Sequence, residues 1–245
     1  MYNMDNIFNI CRLISLIILF FFNLICYITL PINISDEIYY YSVRCFVKSK
    51  LFNTKIKIIG DEKLFSKKGC ILISNHQTAQ DLPIIVSNFY NTYGVAKSNL
   101  CTDNTLPSYL NFTRYLELYI INCFRCIPYD RGNKESGELV KKKINKYIDD
   151  NKNVLIFPEG KCRKSGVVEE FKSGLFRTAS DNNIPIIPIT LKYKRSVGLD
   201  SHENSNPLDW FNNEVEMYIH PVQQNKDWEK LKNNCFNLVK QPMIN

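Results

Sequence analysis

Residues 70–81 read CILISNHQTAQD, an apolar run that gives way to polar residues. The first five residues are typical of a strand buried on both faces. The run stops at Asn75-His76, and residues 79–90 suit a helix, with Pro83 near its start, where proline is tolerated. A buried strand that leads through a polar turn into a helix is the unit from which α/β domains are built.

Short apolar runs alternate with longer helical patterns on both sides of this unit. The predicted strands are 55–59, 70–74, 95–97, 119–122, 126–129, 154–157, 186–192 and 215–219. The predicted helices are 79–90, 108–118, 134–150 and 227–240. The length of 245 residues suits one catalytic domain better than two. The sequence therefore predicts a single α/β domain.

An apolar segment precedes this domain. From Leu13 to Pro31 the chain reads LISLIILFFFNLICYITLP, about the length that a helix needs to cross a bilayer. The segment lacks the short apolar core and the small-residue cleavage site of a signal peptide. We expect a membrane helix here, and the alternative is a fully buried core helix.

The residues around the apolar segment bear on its topology. Arg12 precedes it, whereas Arg44, Lys48 and Lys50 follow, and this excess favours a cytosolic catalytic domain. Residues 38–52 suit a second, interfacial helix. A single spanning helix and a two-helix hairpin that dips into one leaflet both fit this pattern.

The basic and cysteine residues exclude some partners. The net charge is +7, but no basic cluster alternates with the aromatic platforms that single-strand binders use. The densest run, Lys141–Lys143, falls on the polar face of a predicted helix, so nucleic acid is not an expected partner. The nine cysteines are scattered, and the pair Cys123 and Cys126 has no second pair or nearby histidine to form a zinc site. We expect reduced thiols and no metal.

Two side chains after the first buried strand suggest acid–base chemistry. His76 and Asp81 follow the carboxyl end of this strand, where open α/β sheets hold active sites. A hydroxyl that attacks an acyl carbonyl needs a base, and the pKa of histidine lies near working pH. A carboxylate on the other ring nitrogen fixes the tautomer and stabilises the imidazolium. The alternative is that Asp81 only complements the helix dipole.

A second polar turn follows the strand predicted at 154–157. It carries Glu159 and Gly160, and cations follow at Lys161, Arg163 and Lys172. Glycine permits close approach of a ligand to the backbone, and cations suit a phosphate. The alternative is a tight turn with solvated charges.

Four motifs resemble, in order and spacing, those of the 1-acylglycerol-3-phosphate acyltransferase family from about residue 70 to 192. They are Asn-His-Gln within His-x4-Asp at 75–81, Tyr-Asp-Arg at 129–131, Phe-Pro-Glu-Gly at 157–160 with Phe-Lys-x-Gly at 171–174, and Ile-Pro-Ile-Ile-Pro at 184–188. The resemblance implies one acyltransferase domain at 53–245, with a mixed central sheet flanked by helices, on a membrane anchor at 1–52.

The resemblance also implies a reaction and roles for site residues. His76 is implied to be the general base and Asp81 its orienting partner. The acceptor's phosphate and glycerol are implied to contact Arg131, Glu159 and Gly160. Lys161, Arg163 and Lys172 are further candidate substrate-binding residues of this chain. The implied reaction transfers a fatty acyl group from acyl-CoA or acyl carrier protein to the sn-2 hydroxyl of 1-acyl-sn-glycerol 3-phosphate, without an acyl-enzyme, a cofactor or a metal.

One departure leaves the acceptor open. The family usually continues Glu-Gly with Thr-Arg, but here Lys161-Cys162 follows, and Arg163 lies one place later. The alternatives are another lysophospholipid acceptor, transacylation between phospholipids, and a catalytically silent membrane-anchored lipid-binding protein. The intact His76, Asp81 and Glu159 speak against the silent protein. A lipid hydrolase would need a Gly-x-Ser-x-Gly elbow, which does not occur in the sequence.

Overall fold

The computed structural model describes residues 4–49, 53–78, 80–97, 125–130, 132–162, 166–194 and 213–244. Two helices come first, α1 (Met4–Thr29) and α2 (Ile32–Lys48). The strands are β1 (Lys55–Gly60), β2 (Ile71–Ser74), β3 (Thr92–Lys97), β4 (Cys126–Tyr129), β5 (Asn153–Ile156), β6 (Ile186–Tyr193) and β7 (Glu214–Ile219). The remaining helices are α3 (Asp81–Val86), α4 (Lys134–Asp149), α5 (Gly174–Asp181) and α6 (Trp228–Ile244), and a 3-10 segment, Glu62–Ser66, joins β1 to β2.

The described strands form one mixed sheet in the order β1-β7-β6-β2-β5-β3-β4. The β6–β7 pair is antiparallel, and the other neighbouring pairs are parallel. The predicted mixed sheet is therefore confirmed. Because β2 runs parallel to both β5 and β6, the carboxyl ends of these three strands meet at one edge, and the polar turns that follow them lie together.

Helices cover both faces of the sheet, and the central strand shows why. Successive side chains of a strand point to opposite faces. Leu72 packs in a core cluster with α2 and α3, whereas Ile71 and Ile73 pack in a second cluster with α4, α5 and α6. All three side chains are fully buried, which explains the continuous apolar run in the sequence.

Some predicted elements differ from the structure. The α3 helix ends at Val86 rather than at residue 90, because the side chains of Ser87 and Asn88 each donate to the Ile84 carbonyl at 2.8 Å and compete with continued helix. The α5 helix was not predicted. The helix predicted at 108–118 and the strand predicted at 119–122 lie outside the described residues.

The α1 and α2 helices pack against each other as a hairpin, and Ser42 on α2 donates to Asn23 Oδ1 on α1 at 3.1 Å. Residues 10–29 are long and apolar enough to cross a membrane. Large apolar side chains of α1 face outward, with Ile18 62% exposed, which a fully buried core helix would not show. The predicted apolar N-terminal helix is confirmed by length and composition.

The second helix is more deeply packed than the sequence predicts. It begins at Ile32 rather than at residue 38, and Tyr39, Val43 and Val47 join the core cluster that lies between the sheet and α3. These residues recur every four positions and form an apolar stripe on one helical face. The prediction that α2 lies at the membrane interface therefore fits only part of the helix, because its apolar stripe is buried in the core. The division into an anchor at 1–52 and a catalytic domain at 53–245 stays a prediction.

A buried ionic cluster fixes α2 to the sheet. Arg125, which is 3% exposed, donates from Nε to Asp36 Oδ1 at 2.5 Å and from Nη2 to Ser35 Oγ at 2.6 Å. Asp36 Oδ2 accepts from Tyr93 at 2.5 Å and from Lys152 Nζ at 3.1 Å. The buried carboxylate therefore has donors on both oxygens, as burial of a charge requires.

We expect Arg125→Met to lower the free energy of unfolding by about 3 kcal/mol, because the change leaves the buried Asp36 carboxylate with less compensating charge. Denaturant unfolding in detergent measures this. The matched control is Lys55→Met, which removes the exposed Lys55–Glu214 pair and is expected to change stability by less than about 1 kcal/mol. Equal stabilities of the two variants would contradict a stabilising role for the cluster.

Candidate active site

Asn75 determines where the chain leaves the sheet after β2. Its side-chain amide donates to the Leu191 carbonyl at 2.9 Å, and its Oδ1 accepts from the Leu191 amide at 2.8 Å. The side chain therefore satisfies both backbone groups of Leu191 on the neighbouring strand β6, so no buried backbone group is left unpaired there. The backbone turns away at this point and carries His76 to the edge of the sheet.

The structure brings His76 and Asp81 together. The His76 Nδ1 atom lies 2.8 Å from Asp81 Oδ2, and the Asp81 side chain is fully buried, whereas that of His76 is 22% exposed. The same oxygen accepts from the amides of Gln77 at 2.7 Å and Thr78 at 3.0 Å. Because a carboxylate only accepts, Nδ1 carries the hydrogen and Nε2 keeps its lone pair. His76 lies on the turn and Asp81 begins α3, as their spacing requires.

Phe157 holds the imidazole ring of His76 from one face. The two ring centroids are 4.1 Å apart and the planes differ by 15°. Phe157 follows β5 directly, so the stacking depends on the pairing of β2 with β5. The ring is thus fixed by its stacking partner and by Asp81, and it does not need to be ordered by the substrate.

Glu159 connects the two polar turns. Its Oε1 accepts from the His76 amide at 3.0 Å, and its Oε2 accepts from the Glu169 amide at 3.2 Å. Burial raises the pKa of this carboxyl, and the two amide hydrogen bonds act in the opposite direction. Both oxygens contact the protein backbone, so Glu159 holds the His76 turn. Its predicted contact with the acceptor stays a prediction.

The ammonium group of Lys172 lies over Gly160, the residue that follows Glu159 in the second polar turn. Gly160 has φ +70°, and a Cβ at this position would lie 2.9 Å from Lys172 Nζ. The Lys172 amide donates to the Pro158 carbonyl at 3.0 Å, and this bond holds Lys172 beside the turn that carries Glu159 and Gly160. Lys161 is exposed in the same turn. Arg131 and Arg163, which were predicted to contact the acceptor, lie outside the described residues.

Tyr193 was not predicted as a site residue. It ends β6, and its hydroxyl donates to Asp81 Oδ1 at 2.6 Å. Burial and the neighbouring Asp81 carboxylate raise the pKa of Tyr193 well above 10, so the phenol keeps its proton and remains a donor. The available signal was its place at the end of an apolar strand, since the carboxyl ends of parallel strands meet at the active-site edge.

The second described histidine, His220, lies in a different environment. Its Nε2 is 2.8 Å from the Thr190 hydroxyl, which itself donates to the Val239 carbonyl at 2.9 Å. The hydroxyl has one hydrogen, so Nε2 of His220 is the donor. Burial lowers the pKa of His220 to about 4. A neutral, hydrogen-bonded histidine of this kind contributes to packing.

No group of three or more metal-ligating side chains occurs within the described ranges. The described cysteines are free thiols. The expectation that the reaction needs no cofactor stays a prediction.

A family model described as Acyltransferase matches residues 55–192, which is more than half of the chain. The chain therefore belongs to this acyltransferase family. The resemblance of its motifs to those of the 1-acylglycerol-3-phosphate acyltransferases is confirmed by relatives that carry that name.

Three relatives are named as enzymes of that kind. A probable 1-acyl-sn-glycerol-3-phosphate acyltransferase of Mycoplasma pneumoniae is 26% identical over 67% of this chain and 60% of its own length. The 1-acyl-sn-glycerol-3-phosphate acyltransferase of Cocos nucifera is 25% identical over 76% and 55%. A probable enzyme of the same name from Mycoplasma genitalium is 24% identical over 87% and 80%. The chain thus spans little more than half the length of the first two.

The fold is also that of a solved protein. The crystal structure of the 1-acyl-sn-glycerophosphate (LPA) acyltransferase from Thermotoga maritima superposes with a TM-score of 0.62 and covers 97% of this chain and 96% of its own. The sequence identity is 18%, so this likeness shows a shared fold.

Proposed function

We propose that this protein is a membrane-bound acyltransferase that moves a fatty acyl group from a thioester to the sn-2 hydroxyl of 1-acyl-sn-glycerol 3-phosphate, forming phosphatidate. The observation that carries the proposal is the 2.8 Å contact between His76 Nδ1 and Asp81 Oδ2, because it leaves Nε2 as a base at the edge of the sheet. The names of the relatives support the choice of acceptor.

The proposed mechanism is direct transfer. Nε2 of His76 takes the proton of the acceptor hydroxyl while the hydroxyl oxygen attacks the thioester carbonyl. The tetrahedral intermediate then collapses, the carbon–sulfur bond breaks, and the imidazolium returns the proton to the leaving thiolate. Asp81 stabilises the imidazolium between these steps. The hydroxyl itself is the nucleophile, so the reaction needs no covalent acyl-enzyme.

The acceptor's phosphate requires cations near the His76–Asp81 pair. Lys172 Nζ lies over Gly160, in the turn whose Glu159 contacts the His76 amide, and Lys161 follows in the same turn. A side chain at position 160 would displace the ammonium group. We therefore assign Lys172 as a phosphate contact, with Lys161, Arg131 and Arg163 as the further predicted cations.

We expect Lys172→Met to raise the KM for lysophosphatidate about tenfold and to leave kcat within about twofold. An ion contact to the phosphate forms equally in the ground state and in the transition state, so its loss weakens binding alone. The matched control is Lys63→Met, in the 3-10 segment that leads into the amino end of β2, which is expected to change neither constant. An unchanged KM in Lys172→Met would remove Lys172 from the acceptor site.

The membrane contact is assigned to the α1–α2 hairpin. Ile28, Leu30, Ile32 and Ile34 are apolar and exposed around the turn between the two helices. After this turn α2 packs back against α1 and into the core, which favours a hairpin that dips into one leaflet over a helix that spans. The basic residues beyond the turn favour the cytosolic side.

A panel of acceptors tests the proposed reaction. Detergent-purified protein is supplied with labelled oleoyl-CoA or with oleoyl acyl carrier protein, and with lysophosphatidate, lysophosphatidylcholine or lysophosphatidylethanolamine. We expect labelled phosphatidate from lysophosphatidate, with acyl-CoA as a competent donor. A product from a different lysolipid alone would replace the acceptor and assign the difference to Lys161 and Cys162. Folded protein without any product would favour the silent lipid-binding protein.

A further inference from the structure

The catalytic carboxylate has two oxygens with different partners. Oδ2 of Asp81 accepts from the His76 ring and from the amides of Gln77 and Thr78, all within 3.0 Å. Oδ1 accepts from the Tyr193 hydroxyl at 2.6 Å. His76, Gln77 and Thr78 belong to the turn that leads into α3. Tyr193 lies on β6, 112 residues from Asp81 in sequence.

The partner on Oδ1 fixes the plane of the carboxylate. The two short hydrogen bonds from backbone amides to Oδ2 hold that oxygen in place. They do not fix Oδ1, so the plane of the carboxylate could still turn. The hydrogen bond from Tyr193 holds the second oxygen, and the carboxylate then presents Oδ2 to His76 in one orientation. Because Asp81 is fully buried, water does not replace this donor.

The position of Tyr193 follows from the strand register. Ser74 on β2 lies opposite Ile189 on β6, and Asn75 is hydrogen-bonded to both backbone groups of Leu191. Side chains two residues apart on a strand point to the same face, so Tyr193 lies one step beyond Leu191, level with the turn. A tyrosine at this step reaches the start of α3.

We infer that Tyr193 is a positioning residue that completes the His76–Asp81 pair by orienting the Asp81 carboxylate, and this inference rests on the proposed general-base role of His76. Tyr193 does not need to contact the substrate. It acts through Asp81 on the basicity and orientation of the His76 ring.

The test compares Tyr193→Phe, which removes only the hydroxyl, with the wild-type protein. We expect kcat to fall about tenfold and KM to stay within about twofold, because the Asp81 carboxylate is no longer held in one plane to orient His76 and no substrate contact changes. Without its second donor the carboxylate bears more charge towards His76 and stabilises the imidazolium. We therefore expect the acid limb of the kcat profile to move to higher pH.

The matched control is Tyr218→Phe on β7, where the lost hydroxyl donates to the half-buried Glu216 at 2.9 Å. This variant is expected to keep both the rate and the acid limb. A purely structural role for Tyr193 would reduce the folded fraction of Tyr193→Phe at every pH without moving the acid limb. That result, or a kcat within twofold of wild type, would overturn the inference.

A second readout does not depend on activity. Carbon-13 NMR of protein labelled at histidine Cε1 follows the titration of His76, whose signal is identified by its loss in His76→Ala. We expect the His76 signal of Tyr193→Phe to titrate at higher pH than that of the wild type. An unchanged titration would overturn the inference. An upward shift in a protein without transferase activity would leave the positioning role standing and refute the proposed function.

Discussion

His76→Ala is expected to lower kcat for acyl transfer about a thousandfold while the protein stays folded and membrane-bound. The change removes Nε2, the base of the proposed mechanism, and general-base catalysis contributes roughly 10²–10⁴-fold to such reactions. The ring is partly exposed, and the buried Asp81 carboxylate keeps its other donors, the amides of Gln77 and Thr78 and the hydroxyl of Tyr193, so we expect little loss of stability. Initial rates at saturating lysophosphatidate and oleoyl-CoA measure the effect.

The matched control for this prediction is the other described histidine. In His220→Gln the new side-chain amide takes the place of Nε2 and donates to Thr190, so kcat is expected to stay within about twofold. Comparable kcat values for His76→Ala and wild type, with both proteins equally folded, would refute the assignment of His76 as the base.

Replacing four apolar residues of α1 with serine is expected to release the protein from phospholipid vesicles. Ile14, Ile18, Phe21 and Ile25 lie on one helical stripe, and each is at least half exposed. At roughly 1.5 kcal/mol for each buried side chain, the four together contribute about 6 kcal/mol, or about 10⁴-fold in partitioning. Sedimentation with vesicles of mixed neutral and anionic lipid measures the bound fraction.

Two exposed apolar residues outside the hairpin supply the control. Leu139 on α4 and Ile244 at the end of α6 are 60% and 71% exposed, and their replacement by serine is expected to leave vesicle binding unchanged. If the four-residue α1 variant still sediments with vesicles, the membrane contact lies elsewhere. Because all of these side chains are exposed, denaturant unfolding is expected to show little change for either variant.

Local sequence patterns predicted most elements of the sheet but not the depth of the second helix. The strands from β1 to β7 that are described begin and end within a few residues of the apolar runs that predicted them. Tyr39, Val43 and Val47 form an apolar stripe on α2. The spacing of such a stripe is the same whether the helix lies on a membrane surface or packs on a sheet. The partner of an apolar stripe is a tertiary property, so the pattern alone does not identify it.

The same distinction holds for the site. The pairing of His76 and Asp81 could be predicted because both belong to one strand–turn–helix unit, although their spacing also fitted an Asp81 that only complements the helix dipole. The bond from Glu159 to the His76 amide and that from Tyr193 to Asp81 join residues 83 and 112 positions apart. Both depend on β2 lying between β5 and β6, and hydrophobic periodicity does not specify strand order.

The buried Arg125–Asp36 pair was missed for a related reason. Its members are 89 residues apart, and each reads in the sequence as an ordinary charged residue. Charged residues are mostly exposed unless paired, so neither residue suggests burial without knowledge of its partner.

The most direct test of acyl transfer to the lysophosphatidate hydroxyl measures the thiol released and the phosphatidate formed in the same reaction. Purified protein is incubated with lysophosphatidate and labelled oleoyl-CoA, the free thiol is titrated, and labelled lipids are separated by mass spectrometry. We predict one phosphatidate for each thiol, with both products lost in His76→Ala. Thiol release that yields free oleate, or thiol release without any acylated lysophosphatidate, would contradict transfer to the acceptor hydroxyl.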